Sequence, residues 1–497
     1  MKHQIWLENN LNHWVYLLPE LFLLGGAFLM LTLSAWSKLK RPWALALGLG
    51  IFSSAFACGL YASSQSDILL FSNLLQVDSL VHFSRPFFIL CSAIASLFIF
   101  QAVTFSSDKK FLETLAFLMV ITVGFVFMSM SVDLLMVILS IEMVSILSYL
   151  LVARKPNDAF SSEAGLKYIL FGAVASGIMM FGFSFIFGLT GSSFYDDMML
   201  KVHSTLQPSE YILLFFGLVS VLIGFGFKMT TFPTQMWAPD VYQGAPTSIT
   251  AFLSVSSKAA GFLIFIRLLV SFRFQVEQGI SQITELLRIR DVLVVFGLFS
   301  MLIGNVSALR QKNIKRMMAY SSIAHAGFLL LGLSVLNRSG LEAVIFYLMV
   351  YAATNLGTFY IIHLRVLDTG NDHIDSFRGY GNQNIWMAVA MSGFLISLIG
   401  LPPFGGFIAK FYIFKALLME RYFMTALFAA INSVIAVYYY MNIIKWMFFK
   451  EGNDPEYPRY PAYGMILILA LSTVTWVMGI YWWPFTEIAS RAIRSFF

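Results

Sequence analysis

The 497 residues are 59% hydrophobic and only 12% charged, with a formal net charge of +6. A charged fraction about half that of a soluble domain excludes a globular enzyme and points to a chain that lives in lipid. With no soluble domain to hold a basic face, the positive charge does not indicate nucleic acid and reports membrane topology instead. Cys58 and Cys91 both lie in apolar runs, so neither a disulfide framework nor a thiol metal site follows from them.

Apolar runs near the 20 or so residues that a bilayer demands recur at 14–36, 43–62, 86–103, 112–130, 134–152 and 164–189. They continue at 211–244, 247–269, 291–309, 317–336, 341–364, 385–419, 423–449 and 462–483. The pattern predicts an all-α polytopic membrane protein with 14 transmembrane helices and no extramembrane domain. The first run follows Lys2 and His3, holds Pro19 and Glu20, and has no small-residue cleavage site behind it, so it reads as an uncleaved span. Most linker Lys and Arg fall after odd-numbered spans, among them Lys38, Lys109, Arg154, Arg310, Lys315 and Arg378. By the positive-inside rule those linkers face the cytoplasm and both termini lie outside. Arg273, Arg288 and Arg290, after the eighth span, run against this.

Two runs are too long for one simple span. The seventh, 211–244, is interrupted by Pro233 and Pro239, and the twelfth, 385–419, by Pro402 and Pro403, so both read as broken helices. Non-helical backbone at membrane depth is tolerated only inside protein or beside water. The seventh carries Lys228 and the twelfth Lys410, 182 positions on; Glu142 in the fifth and His325 in the tenth are 183 apart. Spans 4–8 and 9–13 therefore read as two five-helix units, the odd number inverting the second against the first. The expected organisation is a three-helix segment at 1–110, units at 111–270 and 290–450, and a last helix in 451–497. Pro233 follows its lysine whereas Pro402 and Pro403 precede theirs, so the repeat lies in the arrangement of helices rather than residue by residue.

Charges within spans are the candidates for chemistry, since an ammonium at the bilayer centre costs ~2.5–3.5 kcal/mol on the insertion scale. Glu142 needs a cation nearby to stay ionised, because burial disfavours a charge and an opposite charge restores it. Lys228 is its expected partner; as a purely structural pair the two would pin helices together. Lys258 sits mid-span among Ser254, Ser256 and Ser257, too deep to snorkel easily to an interface. His325 titrates near neutrality, though a membrane histidine also serves as a helix–helix hydrogen-bond donor. Lys410 lies just beyond the twelfth-span break. Together these groups predict a hydrated, protein-lined path for a small cation, the proton. Asp240 is expected to cap or stabilise the seventh-span break, Glu20 to be structural, and Glu113 to guide protons or meet a neighbouring subunit. No CxxC, paired haem histidines or glycine-rich phosphate loop on a strand is present, and no strands are expected, so no redox cofactor or nucleotide site is predicted in this chain.

At these residues the sequence resembles the antiporter-like subunits of respiratory complex I, of the subunit N type. The matching strings are IEMVSILSYLLVA at 141–153, GFGFKMTTFPTQMWAPDVYQGAPTSITAFLSVSSKAAGF at 224–262, NIKRMMAYSSIAHAGFLLLG at 313–332 and GLPPFGGFIAKFYIF at 400–414. The resemblance implies a 14-span fold with two inverted repeats and one proton channel. It also implies a Glu142–Lys228 pair, Lys258 as central relay and Lys410 on the exit side. NADH, FMN, iron–sulfur clusters and quinone would belong to partner subunits. The partners would be the other membrane-arm subunits, including sister antiporter-like ones, in a bacterial inner membrane. Relatives commonly carry His where this chain has Gln235, and a glutamine cannot titrate there. Alternatives with the same fold are a subunit of a multisubunit cation/proton antiporter or of a membrane-bound hydrogenase. A stand-alone solute symporter would need a substrate-sized polar pocket.

Overall fold

A computed structural model describes residues 13–36, 39–62, 67–105, 107–155, 158–204, 207, 209–273, 288–451 and 460–497. Lys2, His3 and Lys38, used above for the first span and the orientation, lie outside them. Among the described residues, thirteen helices are long and apolar enough to cross a membrane, and the shorter apolar helix Ile385–Ile399 joins them. The molecule is thus an all-α multi-pass membrane protein. A two-stranded hairpin, Ile68–Leu70 against Leu75–Val77, corrects the expectation of no strands. Left-handed backbone at Phe71, Ser72 and Asn73 turns the chain tightly enough to close it.

Helix ends fall where short polar side chains and glycines can satisfy the open backbone groups. Asp78, Asp133, Asp158, Asn313, Asn337 and Asn384 each accept a main-chain N–H at a helix start. Gly191 and Gly370 end the sixth and eleventh spans in the left-handed region. These caps explain the main shifts in boundary. The third span starts at Ser79 behind Asp78, with Pro86 inside the helix. The sixth and eleventh run Ala159–Thr190 and Arg338–Thr369, 32 residues each. Arg85 thereby falls inside a span, where it pairs with Glu20 at 2.7 Å, both side chains buried. Arg267, also within a span, pairs with Asp78 at 2.8 Å.

Both long runs are broken. The seventh is helical over Tyr211–Met229, turns at Thr230 with φ of 63°, and resumes over Ala238–Gly244. The twelfth is helical over Ile385–Ile399, turns at Gly400 with φ of 89°, and resumes over Gly405–Met419. Glycine is required at Gly400, since its backbone is left-handed and an added Cβ would stand 2.7 Å from the Lys410 side chain. The eighth span is not uniform either: a π turn, Leu253–Ser257, immediately precedes Lys258. Such turns widen the helix locally and recur at functional sites. Thr247–Ser271 and Arg338–Thr369 are buried along the whole of their most apolar stretch. They lie at the centre of the helix bundle.

Candidate functional site

Lys228, Lys258, His325 and Lys410 are all buried, at 2%, 1%, 5% and 5% exposure, so none snorkels to an interface. Each is held differently. Lys228 stands in the last turn of its half-helix, where the aligned carbonyls favour a cation. Its Nζ has no hydrogen-bond partner among the described residues.

Glu142 does not reach Lys228. Its carboxylate is half-buried and accepts a hydrogen bond from Ser176 Oγ at 2.5 Å. No ion pair within 4.0 Å joins the two, although Glu142 remains the acid that acts on Lys228 through space. The expected contact pair is therefore a separated one. The cause is local: a hydroxyl one helix away satisfies the carboxylate without drawing the lysine across.

Gly261 brings the eighth span onto Lys228. A Cβ there would lie 3.1 Å from Lys228 Cβ and 3.1 Å from Met229 N. Lys258, three residues earlier, shares that helix face. Its amine donates to the main-chain carbonyl and the hydroxyl of Ser322. It also lies 5.2 Å from the centre of the Tyr351 ring. Ser322 Oγ is in turn 3.3 Å from Tyr242 Oη.

The same Tyr351 ring is 5.3 Å from the ring of His325, so one aromatic face separates the lysine from the histidine. His325 bonds Tyr347 Oη at 2.6 Å and Tyr440 Oη at 3.2 Å. Tyr440 also meets Ser321 Oγ. Beside it, Tyr439 donates to Asn305 Oδ1 at 3.1 Å, and Asn305 Nδ2 donates to the Asn432 carbonyl at 3.0 Å. Lys410 donates to the Ile399 carbonyl at 2.7 Å and to Ser433 Oγ at 3.1 Å, with its amine 4.7 Å from the centre of the Phe328 ring.

The buried lysines and His325 thus stand in a row lined by hydroxyls, amides and aromatic faces. The buried hydroxyls of Ser256 and Tyr351 lack a partner among the described residues. Buried polar groups need hydrogen bonds, from protein or from water. Chemically, amines, an imidazole, phenols and serines in such a row can pass a proton and little else.

The lining tyrosines escaped sequence reasoning. Tyr347, Tyr351 and Asn355 recur every four residues of one helix, a polar stripe on a single face. That spacing was the available signal. Asp240 stabilises the break, as one of its two expected roles, rather than capping it. It holds Lys167 of the sixth span at 2.6 Å and Arg316 of the tenth. Its own helix is only seven residues long, and its carboxylate points outward to the cations of neighbouring helices. Gln235, 4% exposed, lies within the seventh-span break. Glu113 pairs with Arg154 at 2.5 Å.

Three comparisons place this geometry among known proteins. A family model described as NADH:quinone oxidoreductase/Mrp antiporter, TM matches residues 131–436. The chain is 36% identical to NADH-quinone oxidoreductase subunit N 2 of Sorangium cellulosum (strain So ce56), covering 98% of each sequence. It superposes with a TM-score of 0.85 and 25% identity on a chain of the membrane-bound sulfane sulfur reductase, an archaeal respiratory membrane complex, covering 97% of both. Against a chain of respiratory complex I from Thermus thermophilus with bound aureothin the TM-score is 0.79 at 23% identity, over 95% of this chain and 100% of that one. This last likeness speaks to the fold.

Proposed function

This chain belongs to the NADH-quinone oxidoreductase subunit N family, and from that premise we propose that it carries protons across the membrane as a membrane-arm subunit of complex I. The observation that carries the reading is the buried row Lys228, Lys258, His325 and Lys410, held among hydroxyls and phenols rather than in tight ion pairs. A cation neutralised by a close carboxylate would hold its proton; these amines are free to give theirs up when the local field changes. Glu142, half-buried and separated from Lys228, supplies such a field from the edge of the chain.

The redox chemistry belongs to other subunits: NADH, FMN, iron–sulfur clusters and quinone are their business, and this chain contributes only proton-carrying groups. Its partners are the other membrane-arm subunits, in the inner membrane of a bacterium. Residues 111–270 and 290–450 act as two inverted five-helix units, and both termini face outward. The matched 32-residue third helices and matched breaks at Thr230 and Gly400 support that division. An antiporter subunit sharing the fold is the alternative, and the subunit N relative matching along its whole length favours complex I.

Lys228→Ala in the assembled complex, with proton pumping and NADH oxidation measured together in proteoliposomes, tests this. Pumping should fall to a small fraction of the parent. Normal pumping in the variant removes Lys228 from the mechanism, and sodium-dependent transport would instead favour the antiporter.

A further inference from the structure

A cavity of about 450 Å³ opens at the face where the linkers after spans three, five, seven, nine and eleven meet. It is lined by Thr104, Lys155, Gln243, Thr247, Lys315 and His363, among others. Its charges are largely committed. Lys155 pairs with Asp158 at 3.6 Å. Lys315, itself buried, donates to the Gln243 and Ala245 carbonyls at 2.5 and 3.2 Å and lies 3.6 Å from Asp372. His373, also on the lining, is exposed.

His363 differs from all of these. It is 3% exposed and stacks against Phe98 with ring centres 6.4 Å apart. Its Nε2 is buried with no partner among the described residues. An imidazole held by stacking, with a ring nitrogen uncommitted, can both take and give a proton near neutrality.

Deeper on the same face, past the buried Phe359, polar side chains resume toward Lys258. Asn355 lies two helical turns deeper on the His363 face, about 12 Å along the axis, and donates to Ser254 Oγ at 2.6 Å. Thr247, on the cavity wall, begins the helix that carries Ser248, Ser254 and Lys258, the amine being about 16 Å deeper. The buried Ser248 hydroxyl is likewise unpartnered among the described residues. Tyr351, one turn beyond Asn355, is the ring against which Lys258 rests.

We propose that this cavity is where protons leave the aqueous phase, and that His363 is the group that passes them from the cavity inward toward Lys258. The step is proton transfer alone. The His363 ring, stacked on Phe98, takes a proton from water in the cavity and releases it inward toward the hydroxyl and amide groups on the way to Lys258. Only N–H and O–H bonds form and break. The inference rests on Lys258 being a proton carrier, as proposed above.

The test uses the whole complex in proteoliposomes, with His363→Gln and Lys258→Met side by side. Proton uptake and NADH oxidation are followed from pH 6 to 9, with and without added imidazole, at equal amounts of assembled complex. His363→Gln should pump several-fold more slowly, lose more as protons become scarce at high pH, and recover with imidazole. Lys258→Met should lose pumping at every pH without recovery. Parental pumping and an unchanged pH profile in His363→Gln would overturn the inference. So would a slow variant with an unchanged profile that imidazole does not rescue, since packing on Phe98 would then account for the loss. Normal pumping in Lys258→Met would instead sink the relay on which it rests, whatever His363→Gln does.

Discussion

The two broken spans present the same device with opposite local chemistry. In the seventh, Lys228 precedes the break and its amine is bare. In the twelfth, Lys410 follows the break, yet its amine reaches back to the carbonyl of Ile399, the last residue of the first half-helix. Both cations therefore end at the carbonyl-rich C-terminus of a first half-helix, where the backbone dipoles favour positive charge. The misfit in sequence order, proline after one lysine and before the other, disappears in space. What remains different is anchorage: Lys410 has two hydrogen bonds and an aromatic face, and Lys228 has an acid acting across a gap.

The largest expected effect lies in the tightness of the two breaks. A Cβ on Gly406 would stand 1.7 Å from the Ser397 carbonyl oxygen, which is main chain and cannot step aside. Gly406→Ala should cost about 3 kcal/mol or more, at the upper end of overpacking, and deplete assembled complex. At the other break a Cβ on Gly226 comes closest to the Thr231 and Thr234 hydroxyls, at 3.0 Å, with the Thr231 carbonyl oxygen at an ordinary 3.9 Å. Gly226→Ala should cost less than about 1 kcal/mol, because those side chains can rotate. Equal yields and melting temperatures for the two variants would dissolve the contrast.

Next comes anchorage itself. Lys410→Met strips the Ile399 carbonyl and Ser433 of a charged donor, worth about 1.5–3 kcal/mol for such bonds. Lys228→Met removes no hydrogen bond and exchanges a buried ammonium for an apolar chain of similar length, so stability should hold or rise. Hydrogen exchange around each break in the intact complex reads this: faster near residues 399–410 in the first variant, unchanged near 226–234 in the second. Faster exchange only in the Lys228 variant would reverse the assignment.

The smallest effect concerns Asp240, which ties the second half of the seventh span to Lys167 and Arg316. No ion pair among the described residues reaches 400–404 at the other break. Asp240 is 29% exposed in its side chain, so Asp240→Asn should cost about 1 kcal/mol or less and matter less at high salt. A melting temperature indifferent to salt in the parent would show the clamp to be idle.

Span number, the two breaks, and the burial of Lys228, Lys258 and Lys410 were legible in the chain, because a bilayer imposes a length and penalises charge, whereas Lys315, read as a linker residue, is buried at the start of the tenth span. Gly400 and the asparagine and aspartate caps answer to the backbone of their own neighbourhood, yet they were not read from the sequence and so moved the boundaries. The separation of Glu142 from Lys228 was not legible: it depends on Ser176, a hydroxyl brought by another helix. The tyrosine lining of His325, the clamp at Asp240 and the uncommitted nitrogen of His363 likewise come from residues as far apart as Tyr347 and Tyr440 or Phe98 and His363. Periodicity fixes which face a side chain occupies on its own helix. Which hydroxyl, ring or carbonyl meets that face is settled only when the helices pack, and in a low-dielectric interior that meeting decides whether a buried cation is anchored or free to act.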